Sequence, residues 1–114
     1  MVELRKSGMW PWFLQRVTAL FLVSGLLVHF WVLHYWIERP VTYDKVFERL
    51  SSPGWILFDS LLLVACIYHA LNGLYAILVD FNPQLKTKKL VYYIFTILGI
   101  ILSVFGISVL IPPV

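Results

Sequence analysis

Three long apolar runs constrain this chain more than any other feature. They cover about residues 12–37, 54–81 and 89–111, and each exceeds the ~18 residues that mark a membrane-spanning helix. Hydrophobic residues make up 61% of the 114 residues, which is more apolar surface than a soluble domain of this length can bury. Lipid offers the backbone no hydrogen-bond partners, so each run must be helical. The sequence predicts an all-α fold of three transmembrane helices in one domain, residues 1–114.

The connection between the first two runs has a helical pattern of its own. Tyr43, Val46, Phe47 and Leu50 recur at helical spacing, with charged residues between them. An apolar face beside a charged face is typical of a helix that lies on the membrane surface. We therefore expect a short interfacial helix over about residues 42–51.

Basic residues flank the spans unevenly. Arg5, Lys6 and Arg16 lie at the start of the first span, and three lysines fall within residues 86–89. Because lysine and arginine favour the cytoplasmic side, these ends are predicted to face inward. The N-terminus is then inside and the C-terminus outside. The net charge of only +3, concentrated at span ends, indicates membrane topology and lipid contact rather than nucleic-acid binding.

Each of the first two runs carries a histidine deep in its apolar stretch. These are His29 and His69, and an ionisable group at such depth is costly and marks function. A glycine stands one helical turn from each, Gly25 before His29 and Gly73 after His69. A neutral imidazole is a good ligand for iron, and a helix face stripped of side chains admits a flat porphyrin. The pattern predicts haem b with His29 and His69 as axial ligands.

Two alternatives stay open from the residues alone. A histidine in a span can instead bond across helices, and glycine is common there for packing. His34 follows His29 by five residues and is the alternative ligand of the first span, although its place near the outer end suits an interfacial residue. The sequence does not choose between these interpretations.

Helix rise predicts different depths for the two histidines. At 1.5 Å per residue, His29 lies about 25 Å from the inner end of its span and His69 about 18 Å from the inner end of the next. One haem shared between them does not fit this difference. Two haems, each completed by a histidine of another subunit, fit it better. Arg16 lies at the inner end, where an arginine can bind the anionic haem propionates.

Two carboxylates lie at opposite ends of the second run. Asp80, at the inner end, suits either a helix-terminal carboxylate balanced by nearby lysines or the polar wall of a quinone pocket. Asp59, near the outer end, is interpreted as an interfacial residue that reaches water. In the third run Gly99, Ser103 and Gly106 form a small-residue stripe at helical spacing, which is typical of helix packing.

Two segments resemble the D-type membrane-anchor subunit of succinate dehydrogenase. Residues 69–81, HALNGLYAILVDF, carry that family's histidine, its glycine four residues later and its terminal aspartate followed by an aromatic residue. Residues 15–19, QRVTA, resemble the arginine-containing start of the family's first span. Length, span count and the short basic second connection also agree.

The resemblance implies a role for each matching position. His69 corresponds to the axial ligand of haem b, Arg16 to a residue lining the haem-propionate and quinone region, and Asp80 to an aspartate beside the quinone pocket. Phe81 stands where the family often has a tyrosine that donates a hydrogen bond to the quinone, so menaquinone and ubiquinone both stay open. Residues 28–34 resemble the first-span segment of two-haem anchors, which implies that His29 serves a second haem in a prokaryotic cytoplasmic membrane.

The implied function is that of an anchor subunit without catalytic activity of its own. The sequence has no flavin-binding glycine loop and no cysteine cluster for iron–sulfur centres. The resemblance therefore implies a flavoprotein, an iron–sulfur protein and a second anchor that forms the other half of a haem-binding bundle, with electrons passing to quinone. Two other interpretations stay open: an anchor of a fumarate reductase or another haem-b quinone oxidoreductase, and a small transport or channel subunit.

Overall fold

Residues 9–111 form an all-helical structure in the computed structural model, and this part of the chain contains no strand. Four α-helices follow one another: α1 (Met9–Trp31), α2 (Tyr43–Leu50), α3 (Pro53–Asp80) and α4 (Leu85–Leu110). A π-helical turn, Val32–Trp36, continues α1. The predicted Arg5 and Lys6 contribution to topology lies outside the described residues.

Three of these helices are long and apolar enough to cross a membrane. They are α1 with its π-helical turn, α3 and α4, with 28, 28 and 26 residues. The prediction of three spans and the prediction of a short helix between the first two are confirmed. Helix α4, the third span, begins at Leu85, four residues before the predicted residue 89. Its helical backbone includes the lysine-rich segment, which the hydropathy pattern leaves out.

Local sequence explains where the second long helix begins and ends. Pro53 occupies the first turn of α3, where its missing N–H has no helical partner to lose. After Asp80 the chain reverses through Asn82, which has a φ of 54°. Asparagine tolerates this left-handed conformation better than most residues. Pro83 follows and prevents the helix from continuing.

Helix α3 runs antiparallel to α1, and small residues bring the two together. Near the start of α1, Gln15 packs on Gly73 near the end of α3, and further along α1, Gly25 packs on Leu62 in the first half of α3. The start of α1 therefore lies beside the end of α3. We call the end of the bundle that carries Arg16, Asp80 and Lys88 the basic end; which side of the membrane it faces stays a prediction.

Helix α4 packs on α3 through the small-residue stripe. A Cβ at Gly99 would lie 3.2 Å from Leu71 Cδ1, and one at Gly106 would overlap the side chain of Leu63. Both partners belong to α3, and their order shows that α4 also runs antiparallel to it. The prediction that Gly99 and Gly106 form a packing face is confirmed.

Most apolar side chains of the long helices are exposed. Within residues 9–111, Val32 and Leu62 are the buried large apolar side chains, whereas residues such as Leu20, Phe105 and Val109 are about two-thirds exposed or more. A water-soluble monomer does not expose apolar patches of this extent. The bundle is therefore a membrane unit whose outer faces are covered by lipid or by other protein.

The interpretation of Asp59 as a residue that reaches water is wrong. Its side chain is only 6% exposed and accepts a hydrogen bond of 2.7 Å from Arg49 Nη2, with a second contact of 3.4 Å from Nη1. Arg49 belongs to α2, and its guanidinium carbon lies 5.3 Å from the ring centroid of Trp55. Helix α2 folds back over the start of α3, and the hydropathy of a single segment does not reveal that contact.

Candidate functional site around His69

His69 is half-buried on α3, where the side chain meets α1. Its Nδ1 atom lies 3.0 Å from the hydroxyl oxygen of Thr18. The same hydroxyl donates to the carbonyl oxygen of Leu14, one turn earlier in α1, at 2.7 Å. Within residues 9–111, the Nε2 atom of His69 forms no hydrogen bond. One nitrogen of the imidazole is therefore held by α1, and the other is not used by the described residues.

A polar network anchors the backbone of His69 as well. Gln15 Nε2 donates to the His69 carbonyl oxygen at 3.3 Å, and Gln15 Oε1 accepts from Asn72 Nδ2 at 2.9 Å. Asn72 Nδ2 also donates to the Pro11 carbonyl oxygen at 3.0 Å. Lipid offers these groups no other partners, so the network fixes the register of α1 on α3. Our sequence interpretation did not assign a role to Thr18 or Asn72, although both are polar residues inside apolar runs.

Gly25 and Gly73 are predicted to lie beside a porphyrin. In this structure both lie in the contact between α1 and α3. A Cβ at Gly25 would lie 2.8 Å from Leu62 Cδ1, and one at Gly73 would lie 2.9 Å from Gln15 Nε2. At these points the space beside each glycine is filled by side chains of the neighbouring helix. Both glycines therefore serve the close approach of α1 and α3, and a direct contact with haem stays a prediction.

His29 lies on α1 well away from His69. It follows Thr18, the neighbour of His69, by eleven residues, which corresponds to about 16 Å along the helix axis. Its side chain is half-buried and makes no hydrogen bond within residues 9–111. The structure thus places the two imidazoles at different levels, further apart than the predicted depths of about 25 Å and 18 Å imply, and does not bring them together at one centre.

His34 lies in the π-helical turn and is exposed. Its Nδ1 atom lies 2.9 Å from the Phe30 carbonyl oxygen, and the ring stacks on Phe30 with a centroid distance of 3.9 Å. Because a carbonyl oxygen only accepts, Nδ1 carries the hydrogen and Nε2 of the neutral ring is unprotonated. His34 therefore keeps the chemistry of a ligand and remains the alternative to His29.

A cleft of about 710 Å³ opens between α1, α3 and the start of α4 at the basic end. Arg16 and Asp80 both line it, so the structure brings the two predicted polar residues to one cavity. The guanidinium carbon of Arg16 lies 4.8 Å from the ring centroid of Trp12, which orients this cation. Phe81, predicted to contact the quinone, is 78% exposed and is not among the residues that line the cleft.

Other residues of the cleft wall escaped the sequence analysis. Lys88, interpreted as a topology residue, is 2% exposed and lines the cleft. Tyr75 lines it too, and its buried hydroxyl has no hydrogen-bond partner within residues 9–111. The Tyr75 and Tyr92 rings lie 5.8 Å apart, edge to face. The cleft wall therefore combines two cations, one carboxylate, three tyrosines and the side-chain amides of Gln15 and Asn72 with apolar residues.

The three histidines do not share a metal site within the described residues. Across residues 9–111, no three His, Cys, Asp or Glu side chains converge on a metal site. Haem iron takes one axial ligand from each of two helices, and the porphyrin supplies its other ligands. A single imidazole with an available nitrogen is therefore what one helix contributes to a bis-histidine haem.

Comparisons with known proteins identify the family. The family model described as succinate dehydrogenase/fumarate reductase transmembrane subunit matches residues 3–107. The succinate dehydrogenase hydrophobic membrane anchor subunits of Archaeoglobus fulgidus and Thermoplasma acidophilum are each 33% identical, over 96% of this chain and over 95% and 96% of their own lengths. The succinate dehydrogenase 2 membrane subunit SdhC of Mycobacterium tuberculosis is 34% identical over 65% of this chain and 54% of its own. No solved structure gives a significant match. The chain therefore belongs to the transmembrane anchor subunits of the succinate dehydrogenase/fumarate reductase family.

Proposed function

We propose that this chain binds haem b in a succinate dehydrogenase and helps form the site at which electrons from the iron–sulfur subunit reach quinone. The observation that carries the proposal is the state of His69. One ring nitrogen is bonded to Thr18 at 3.0 Å, and the other makes no hydrogen bond within residues 9–111. A polar nitrogen in an apolar span needs a partner, because burying it unpaired is costly. Haem iron is a partner that a neutral imidazole binds well.

The chain supplies one axial ligand to each of two haems. His69 is the ligand of the first, and His29, with His34 as its alternative, is the ligand of the second. A histidine of the second anchor subunit completes each pair, and bis-histidine haem supplies a one-electron relay inside the bilayer. The separation of about 16 Å along α1 between the levels of the two ligands supports two haems over one. Gly25 and Gly73 hold the two ligand-bearing helices close together.

The cleft at the basic end suits a quinone headgroup. A quinone carbonyl accepts hydrogen bonds, and Arg16 in the cleft wall is a donor. Its charge also suits a haem propionate. Reduction of a quinone consumes two electrons and two protons, and Asp80, exposed in the same wall, is placed to pass a proton from water. Phe81 offers an apolar ring and no donor, so either menaquinone or ubiquinone remains compatible.

The proposed complex contains three further subunits: a second anchor, an iron–sulfur protein and a flavoprotein. Its exposed apolar helix faces suit a second anchor subunit and lipid of a prokaryotic cytoplasmic membrane. The flavoprotein and iron–sulfur subunits would bind at the basic end, where the cleft opens. Succinate oxidation belongs to those subunits, and this chain contributes only to the transfer of electrons to quinone. In a fumarate reductase the same residues would serve electron transfer in the opposite direction, from quinol to the iron–sulfur subunit.

Haem counting tests this proposal. The complex purified with this chain should contain bis-histidine haem b by pyridine haemochrome assay, and His69→Ala should remove one haem per complex. Gly54→Ala is a suitable control, because a Cβ there meets no atom within 4 Å, and it should leave haem content unchanged. A colourless complex, or an equal haem content in His69→Ala and the unaltered complex, would contradict the proposal. Ion conduction by such a colourless protein would favour the transport interpretation.

A further inference from the structure

We propose that Thr18 is a positioning residue that fixes the tautomer of His69. Its hydroxyl oxygen accepts a hydrogen bond from Nδ1–H of His69, which keeps Nε2 unprotonated and its lone pair available to iron. This inference rests on the proposed function, because it concerns how this chain presents a ligand to haem. Thr18 belongs to α1, whereas His69, the ligand that it positions, belongs to α3.

The hydrogen-bond geometry of Thr18 decides the direction of the bond to His69. Its hydroxyl oxygen lies 2.7 Å from the Leu14 carbonyl oxygen and 3.2 Å from that of Gln15. Both carbonyls can only accept, and the hydroxyl has a single hydrogen. A threonine inside a helix commonly donates that hydrogen to the carbonyl one turn earlier. At 3.0 Å from His69 Nδ1, the oxygen is then left to accept.

The tautomer of His69 follows from that direction. A neutral imidazole carries one N–H, so a hydrogen on Nδ1 leaves Nε2 as the acceptor. The opposite tautomer would place a hydrogen on Nε2 and leave Nδ1 facing a hydroxyl whose hydrogen is already donated. That arrangement pairs two acceptors in an apolar span and is disfavoured. The geometry therefore selects the tautomer that can bind iron.

The same helix turn also fixes the position of the ring. Gln15, one turn before Thr18, donates to the His69 carbonyl oxygen at 3.3 Å, so α1 holds both the backbone and the side chain of the ligand. A hydrogen bond on the remote nitrogen raises the basicity of the ligating nitrogen. A more basic ligand stabilises oxidised iron, so loss of the bond should raise the midpoint potential of the haem.

Three variants of the assembled complex test this role. Thr18→Val removes the acceptor at nearly constant volume, and should raise the midpoint potential of the His69 haem and weaken its binding by about 10- to 100-fold. Thr18→Ser keeps the hydroxyl and should retain both properties. Thr96→Val is the matched control, since the Thr96 hydroxyl donates to the Tyr92 carbonyl oxygen at 2.8 Å and has no imidazole partner within residues 9–111. It should change neither property.

A measurement on the unaltered complex tests the tautomer without any variant. Pulsed electron paramagnetic resonance of the oxidised haem in H₂O and D₂O should detect an exchangeable hydrogen on the remote nitrogen of His69. If Thr18→Val fails to assemble, this measurement keeps the inference falsifiable, because a remote nitrogen without a hydrogen contradicts the tautomer. A remote nitrogen without a hydrogen, or a Thr18→Val complex with unchanged potential and haem affinity, would overturn the inference. If the unaltered complex binds no haem, the proposed function fails instead.

Discussion

Thr18 on α1 and His69 on α3 share one level of the bundle, with their side-chain polar atoms 3.0 Å apart. This contact ties α1 and α3 together and sets a reference point along α1. His29 lies eleven residues beyond that point, about 16 Å further along the axis. One planar cofactor does not reach iron-ligating positions at both levels, so the proposed function assigns each histidine its own haem.

Under the proposed function, the two levels make the loss of each haem independent of the other. We expect His29→Ala to remove the haem that His69→Ala leaves in place, and the double variant to contain none. His34→Ala separates the two candidate ligands of α1, and it should retain both haems because the proposed function assigns the second haem to His29. Reduced-minus-oxidised spectra with haem counting provide the measurement. Loss of a haem in His34→Ala, with both retained in His29→Ala, would assign the ligand to His34.

The contact between Gly73 and Gln15 predicts a coupled effect on stability. In Gly73→Ala the added Cβ lies 2.9 Å from Gln15 Nε2, an atom already bonded to the His69 carbonyl oxygen. We expect the free energy of unfolding to fall by about 1–3 kcal/mol, which is typical of overpacking. The double variant Gly73→Ala with Gln15→Ala should lose less stability than the sum of the losses in the two single variants. The reason is that Gln15→Ala removes the side chain with which the added Cβ overlaps.

Thermal unfolding of the purified complex in detergent measures this coupling. Gly54→Ala serves as the control, since that position has nothing within 4 Å of an added Cβ. A Gly73→Ala midpoint equal to that of Gly54→Ala would show that the Gln15 side chain moves aside freely. The polar network would then not fix the register of the two helices.

The ion pair between Arg49 and Asp59 predicts a different stability pattern. The two side chains are only 10% and 6% exposed, so removing one partner leaves a charge that is largely shielded from water and uncompensated. Asp59→Asn or Arg49→Met should each cost about 3–5 kcal/mol, whereas the double variant Arg49→Met with Asp59→Leu should come close to the unaltered protein. Asp44→Asn, on the exposed face of the same short helix, should have little effect.

Limited proteolysis of the connection between α1 and α3 is a direct measurement of this contact. Cleavage within residues 37–52 should accelerate in both single variants, because α2 is no longer held against α3, and return toward the original rate in the double variant. Equal cleavage rates in all four proteins would show that apolar packing of α2, rather than the ion pair, holds it in place.

Length and apolarity were enough to predict the three spans, because lipid leaves the backbone no choice but helix. The packing role of Gly99 and Gly106 followed from spacing for a similar reason: small residues at helical intervals mark a close helix contact. The partners of Thr18 and Asp59 did not follow, since they depend on how each helix is rotated and on a fold-back of α2. Lys88 shows the same limit, because a charge rule groups it with Arg16 at one end of the bundle without showing that it lies in a cleft wall.

The cleft that contains Arg16 and Asp80 predicts a selective defect in quinone reduction. Arg16→Gln removes a cationic donor from the cleft and should raise the KM for quinone, whereas Asp80→Asn removes a proton carrier and should mainly lower kcat. In both variants, succinate oxidation with a soluble acceptor that bypasses quinone should remain unchanged, since that reaction ends before electrons reach this chain. Asp44→Asn, remote from the cleft lining, is the control. If the bypass activity falls in parallel with quinone reduction, these residues support assembly of the complex, and the cleft is not the quinone site.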